Sequence, residues 1–128
     1  MANFKTKLVP IEDRTYAFAL AIVRAFRANP PQDHADRVIW HQLLKSGTSA
    51  GANSAESRGA QSGRDWITRR FIALKEMRES LYWLRLLKDV NGEHTKGLEP
   101  LLDETNQLVA ILTTVVKHAK ENQKKAGG

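Results

Sequence analysis

From Asp65 to Val90 the sequence holds neither proline nor glycine, and a run this long without a breaker reads as one long helix. Ser62 offers an N-cap, and Asp65 three residues on suits the positive end of the helix dipole. Asn91-Gly92 supplies the stop, because both residues tolerate the left-handed conformation of a C-cap. The spacing predicts a helix over residues 63–90, roughly 40 Å long at about 1.5 Å per residue.

Two apolar stripes run along it. At about 100° per residue, Ile67, Phe71, Leu74, Met77, Leu81 and Leu84 fall on one side. Ile72, Trp83, Leu86, Leu87 and Val90 fall nearly opposite. A helix in a monomeric bundle needs one stripe. Two imply either a central place in its own bundle or a face turned to another subunit. We take the second reading, which makes Ile72, Trp83, Leu86 and Leu87 the expected oligomer interface.

The remaining helices follow from punctuation and period. Residues 11–28 place Ile11, Phe18, Ile22, Ala25 and Phe26 along one face, with Pro10, Glu12 and Asp13 at the start and Arg24 and Arg27 near the end. Asn29-Pro30-Pro31 ends that helix. A second helix is expected over residues 32–58, where the stripe begun by Ile39 and Leu43 continues through Ser46, Gly47, Ala50, Ser54 and Ser57. Propensity opposes helix there by up to about 1 kcal/mol per residue. Periodicity favours it, with a face of small residues that another backbone can approach. The same stretch, SGTSAGANS, lacks the lysine and the preceding strand of a phosphate-binding loop.

A fourth helix is expected over residues 97–120, since Pro100 fits only its first turn and Leu101, Leu108, Leu112 and Val116 lie on one stripe. Residues 121–128, ENQKKAGG, are expected to be disordered. With no strand signal and no internal repeat, the chain reads as an all-α, antiparallel, up-down-up-down four-helix bundle, one domain over residues 1–128.

Composition narrows the function. The absence of cysteine removes a disulfide framework, a thiol nucleophile and a thiolate metal site. The N-terminus lacks an apolar signal core, and no run approaches the ~18 apolar residues of a membrane span. A cytoplasmic protein without a membrane partner is expected. The net charge is +6, and it is unevenly spread. Residues 1–30 carry five Lys/Arg against two acids and residues 64–90 carry seven against four, while residues 31–63 and 91–128 balance to zero. That distribution suits a polyanion such as DNA or RNA; a solubilising surface is the plainer alternative.

The segment LLKSGTSAGANSAES, followed by SGRDWI and IALKEMRESLYWLRLL, resembles a family of bacterial four-helix-bundle proteins. That family includes proteins encoded in intervening sequences of 23S ribosomal RNA genes and, more distantly, the accessory variability determinants of diversity-generating retroelements. Ser54, where the family often has an aromatic, and Trp66, where it often has Phe, depart from the pattern in packing more than in chemistry. The resemblance implies a four-helix bundle assembled as a ring-like homopentamer. It also implies nucleic-acid binding, with reverse transcriptase as partner in the retroelement branch.

Chemistry beyond binding finds little footing. His34, His41, His94 and His118 stand in no Glu-x-x-His pattern, which argues against a di-metal enzyme, and no Ser or Thr lies in a motif supplying a base and an oxyanion hole. No cofactor, metal or catalytic residue is expected, and the chain is read as a non-enzyme. A binding module for nucleic acid ranks first, a structural or interaction scaffold second. Trp40, Trp66, Trp83 and Tyr82 could stack on bases, though at helical spacing beside Leu and Ile they more often pack in a core or interface. For phosphate contact the candidates are Arg58, Arg64, Arg69 and Arg70, gathered around the turn into the long helix, where guanidinium groups can bind phosphate bidentately. The competing reading has Asp65 neutralise Arg69 and leaves the rest as solvated surface.

Overall fold

The structure is a computed structural model of the chain, and it describes residues 9–57, 59, 62–92 and 95–126. Four helices follow in order: α1 (Ile11–Ala28), α2 (His34–Ser57), α3 (Gly63–Asn91) and α4 (Leu98–Ala126). The described residues contain no strand. None of these helices is long and apolar enough to cross a membrane.

Polar contacts at the helix ends set the antiparallel order. The Asn29 side chain closes α1 by donating to the Ala25 carbonyl at 2.8 Å. It also exchanges hydrogen bonds with the backbone of Lys96, at 3.1 and 3.2 Å, which brings the end of α1 beside the start of α4. At the head of α2, Asp33 Oδ1 accepts from the Asp36 N–H at 2.8 Å, and Asp36 Oδ2 accepts from the Gln32 N–H at 3.1 Å. This reciprocal cap starts the helix at His34 rather than residue 32. Asn91 Nδ2 donates to Asp36 Oδ1 at 3.2 Å, so the start of α2 meets the end of α3.

The small-residue segment is helical through Ser57. Its hydroxyl and amide side chains turn back onto their own helix: Thr48 donates to the Leu44 carbonyl at 2.7 Å, Asn53 to that of Ser49 at 3.0 Å and Ser57 to that of Ser54 at 2.6 Å. Two glycines face α1 closely. A Cβ on Gly47 would lie 3.3 Å from Ile22 Cγ1, and one on Gly51 would lie 3.1 Å from the Thr15 carbonyl oxygen. At Gly51 it is the close approach of the α1 backbone that selects glycine, whereas Gly47 faces side chains.

α3 packs against both α2 and α4, while α1 packs on α2 and, over a shorter length, on α4. The core is filled by Phe18 and Ile22 from α1, Trp40 and Leu43 from α2, Met77, Leu84 and Leu87 from α3, and Leu108 and Leu112 from α4. Between α2 and α3 the Ser46 and Ser80 hydroxyls meet at 2.8 Å, which satisfies both inside the core.

Two expectations are corrected. The buried side of α3 is a single broad face, Ala73, Leu74, Met77, Ser80, Leu84 and Leu87, lying between the two apolar stripes. A helix with two neighbours buries the inner margin of each stripe. Leu87 is therefore fully covered within its own chain, whereas Ile72, Trp83 and Leu86 stay partly covered. The segment expected to be disordered is also helical as far as Ala126. Residues 117–126 contain no proline or glycine, are rich in the helix formers Lys, Glu, Gln and Ala, and end in lysines that favour the negative end of the dipole.

Candidate nucleic-acid interface

Of the four arginines expected to form one cluster, the three that are described separate. Arg58 lies outside the described residues. Arg64 is exposed and makes no ion pair with a described residue. Arg69 is held by acids, with Nη1 2.9 Å from Glu56 and Nε 3.8 Å from Asp65, and it donates to Asn53 Oδ1 at 3.4 Å. Arg70 is only 5% exposed and donates through Nη2 to the Glu12 carboxylate of α1. Its guanidinium stands 5.0 Å over the Trp66 ring. The expectation that Arg70 faces phosphate is corrected: it projects into the bundle at about the centre of the buried face of α3, where Glu12 compensates its charge.

A different set of cations does share a surface. Arg64, Phe71, Lys75, Arg78, Tyr82 and Arg85 recur at heptad-like spacing on the outer side of α3. All six are exposed. The i,i+4 pairs Lys75–Glu79 and Arg85–Asp89 that the sequence allows are not formed, so Lys75, Arg78 and Arg85 have no ion-pair partner among the described residues. The row continues onto α4, where Lys120 Nζ lies 4.8 Å over the Phe71 ring. Lys117 and Lys124, a turn to either side, are exposed as well.

Three of the four acids of α3, Asp65, Glu76 and Glu79, lie toward α2; the fourth, Asp89, stands one turn past Arg85 and ends the basic row. Glu76 lies near Lys45 of α2, and its carboxyl is raised above the ordinary 4.5, first by burial and then by neighbouring Glu79. Glu79 accepts from Trp83 Nε1 at 3.2 Å. Asp65 and Glu56 flank Arg69. Between residues 71 and 85, α3 thus carries its cations toward α4 and its anions toward α2, a separation hidden in a segment total of seven against four. At the far end Lys88 pairs with Glu99 at 2.6 Å, which raises the lysine pKa, and Glu99 and Asp103 bound the basic row there.

The aromatic residues sort in the same way. Trp40 is buried, edge-on to Phe26 at 5.5 Å. Trp66 and Trp83 are half-buried, Trp83 edge-on to Tyr82 at 4.9 Å. The accessible rings on the basic row are Phe71, 45% exposed, and Tyr82, 60% exposed. By its helical period Phe71 belongs to an apolar stripe. The signal that picks it out is the spacing of Lys and Arg around it. Of the expected interface, Ile72, Trp83 and Leu86 lie on the α2 side of α3, and Val90 beside them is 59% exposed.

One carboxyl stands apart. Glu104 of α4 is 1% exposed and receives Arg14 Nε at 3.1 Å and Nη2 beside it, with Gln107 also bonded to Arg14. Burial pushes its pKa above 4.5, and Arg14 offsets only part of that. No group of three or more His, Cys, Asp or Glu side chains among the described residues could hold a metal.

Comparison with known proteins places the chain. A family model described as 23S rRNA-intervening sequence protein matches residues 9–114, which includes all of α1, α2 and α3 and the first half of α4. A crystal structure of a protein of unknown function from the S23 ribosomal protein family of Bacteroides thetaiotaomicron VPI-5482 is similar at 33% identity and a TM-score of 0.73. The similarity covers 84% of this chain and 99% of that one. Among curated proteins none matches. The helix order, the packing and the match along most of the chain lead to one assignment: this protein belongs to the 23S rRNA-intervening sequence protein family.

Proposed function

We propose that this protein is a non-enzymatic, cytoplasmic nucleic-acid-binding accessory protein that works as a ring-forming homo-oligomer. A homopentamer, and an RNA or a reverse transcriptase as its working partner, are what the family resemblance implies. The observation that carries the binding reading is the separation of charge across α3. Lys75, Arg78 and Arg85, without an ion-pair partner among the described residues, line its α4 side together with Lys117 and Lys120, while Glu76 and Glu79 are drawn to the α2 side. A surface of one sign, with its acids turned away, attracts a phosphate backbone and releases counterions.

The test is a salt titration of binding to duplex DNA, single strands and structured RNA. The expected result is a linear fall of log K with log salt, with a slope of about −0.9 per phosphate contact on duplex and about −0.7 on single strands. Replacing Lys75, Arg78 and Arg85 together by Glu should abolish binding and leave the helical content unchanged. Failure to bind near physiological salt would favour the second reading, an interaction scaffold. That reading draws on the incompletely covered Ile72, Trp83, Leu86 and Val90 on the α2 side.

A further inference from the structure

The basic row on α3 differs from a plain electrostatic patch in one respect: aromatic rings interrupt it at regular spacing. Phe71 and Tyr82 are eleven positions apart, which on a helix returns to within about 20° of the same direction after about 16 Å. Lys75 and Arg78 lie between the two rings, and Arg85 lies one turn beyond Tyr82. All five are exposed. From α4, Lys120 stands against the Phe71 ring and leaves nearly half of that residue in solvent.

A duplex offers this surface only its phosphates, because the π-faces of its bases are stacked inside. Two exposed rings on the line of cations would then gain nothing and would meet sugar and phosphate. An unpaired strand offers both partners, flat bases for the rings and phosphates for the cations. The separation fits as well. About 16 Å corresponds to about five nucleotides of a stacked strand at about 3.4 Å each, and to fewer of an extended one. Two unpaired bases can therefore reach Phe71 and Tyr82 while the linking phosphates pass Lys75 and Arg78.

We infer that the outer face of α3 binds single-stranded nucleic acid along the helix axis, with bases stacked on Phe71 and Tyr82 and phosphates held by Lys75, Arg78, Arg85 and Lys120. This deepens the nucleic-acid reading above and rests on it. The shared ligand chemistry is an unpaired strand, and both DNA and RNA supply it. The acids Asp89, Glu99 and Asp103 set the limit of the track at the Lys88 end.

The experiment measures binding of the full chain to oligo(dT), to oligo(U), and to oligo(dT) annealed to oligo(dA), each over a range of salt. It is repeated with Phe71→Leu, Tyr82→Leu and Tyr82→Trp. We expect both single strands to bind more tightly than the duplex. Each leucine variant should bind the single strands between about 5-fold and 150-fold more weakly, the range that base–aromatic stacking spans. The salt slope should not change, since no charge is lost, and Tyr82→Trp should bind at least as well as the parent. Tyr82, the more exposed ring, is the arm that does not depend on packing, and circular dichroism checks the fold of each variant. Comparison of oligo(dT) with oligo(U) tells which sugar is preferred. Duplex binding as tight as single-strand binding, or leucine variants with unaltered affinity, would overturn the inference and leave nucleic-acid binding standing. No binding to any of the three would overturn both.

Discussion

The Arg70 guanidinium on α3 reaches the Glu12 carboxylate on α1, linking two helices whose backbones do not pack against each other. Both side chains are largely withdrawn from water, and Arg70 Nε and Nη1 have no hydrogen-bond partner among the described residues. A buried cation with incomplete hydrogen bonding depends heavily on its one anion.

Removing that anion should therefore be costly. Glu12→Gln is expected to destabilise the fold by about 3 kcal/mol, the lower end for breaking a buried pair, because Glu12 keeps part of its surface in water. Changing both residues, Glu12→Leu with Arg70→Met, should recover most of that loss. Urea denaturation of the single and double variants checks it, and equal losses in both would show that the pairing is not the source.

Gly47 and Gly51 should respond differently to alanine. At Gly51 the new methyl meets the Thr15 backbone, which cannot swing aside, so Gly51→Ala should cost about 1–3 kcal/mol through overpacking. At Gly47 it meets the end of the Ile22 side chain, which can shift by a few tenths of an ångström. There the gain in helix propensity of up to about 1 kcal/mol offsets the contact, and Gly47→Ala should be close to neutral. Thermal melts of the two variants side by side decide it.

Glu104 predicts a pH dependence with a definite sign. Its folded pKa lies above 4.5, so over the window from 4.5 up to that raised value the folded chain holds a proton that the unfolded chain has lost. Stability contributed by the protonated carboxyl is full below that window and is lost as pH rises through it. In Glu104→Gln this slope disappears, while Glu76, raised in the same direction, remains in both proteins. Urea midpoints measured from about pH 4 to pH 7 should show the parent losing stability relative to the variant, and parallel curves would refute the assignment.

Trp83→Asp tests assembly. Trp83 lies on the α2 side of α3 beside Ile72 and Leu86, and a carboxylate there should be rejected from a subunit interface. Light scattering at micromolar concentration should give an oligomer for the parent and a smaller species for the variant, with most of the helicity kept. A monomeric parent would remove the oligomer from the proposal.

Much of the fold is written in local punctuation. Pro30-Pro31, Gly92 and Pro100 act within a few residues of themselves, and the helix bounds follow them closely. What escapes local reading is decided across space. Arg70 looks like a surface cation because its partner, Glu12, is 58 positions away on another helix. Leu87 looks like an interface residue because its stripe is at the margin of a face whose width depends on how many neighbours α3 has. The basic row was legible in the spacing of Lys75, Arg78 and Arg85. Contiguous charge points instead to Arg69 and Arg70, and the structure gives both to acids.

The glycine and serine face of α2 has a consequence for how the chain folds. By itself the segment Ser46–Ser57 has little reason to be helical, since its residues favour turns and its hydroxyls compete for the backbone. Its order is borrowed from α1 and α3, which close on its two flanks. A nascent α2 would stay unformed until both are present, because nucleating it alone is unfavourable. The backbone amides of Ser46–Ser57 should then exchange with solvent as soon as either neighbour detaches, ahead of the opening of the whole molecule. By that measure the segment that looks most like a loop in isolation is among the first to come apart.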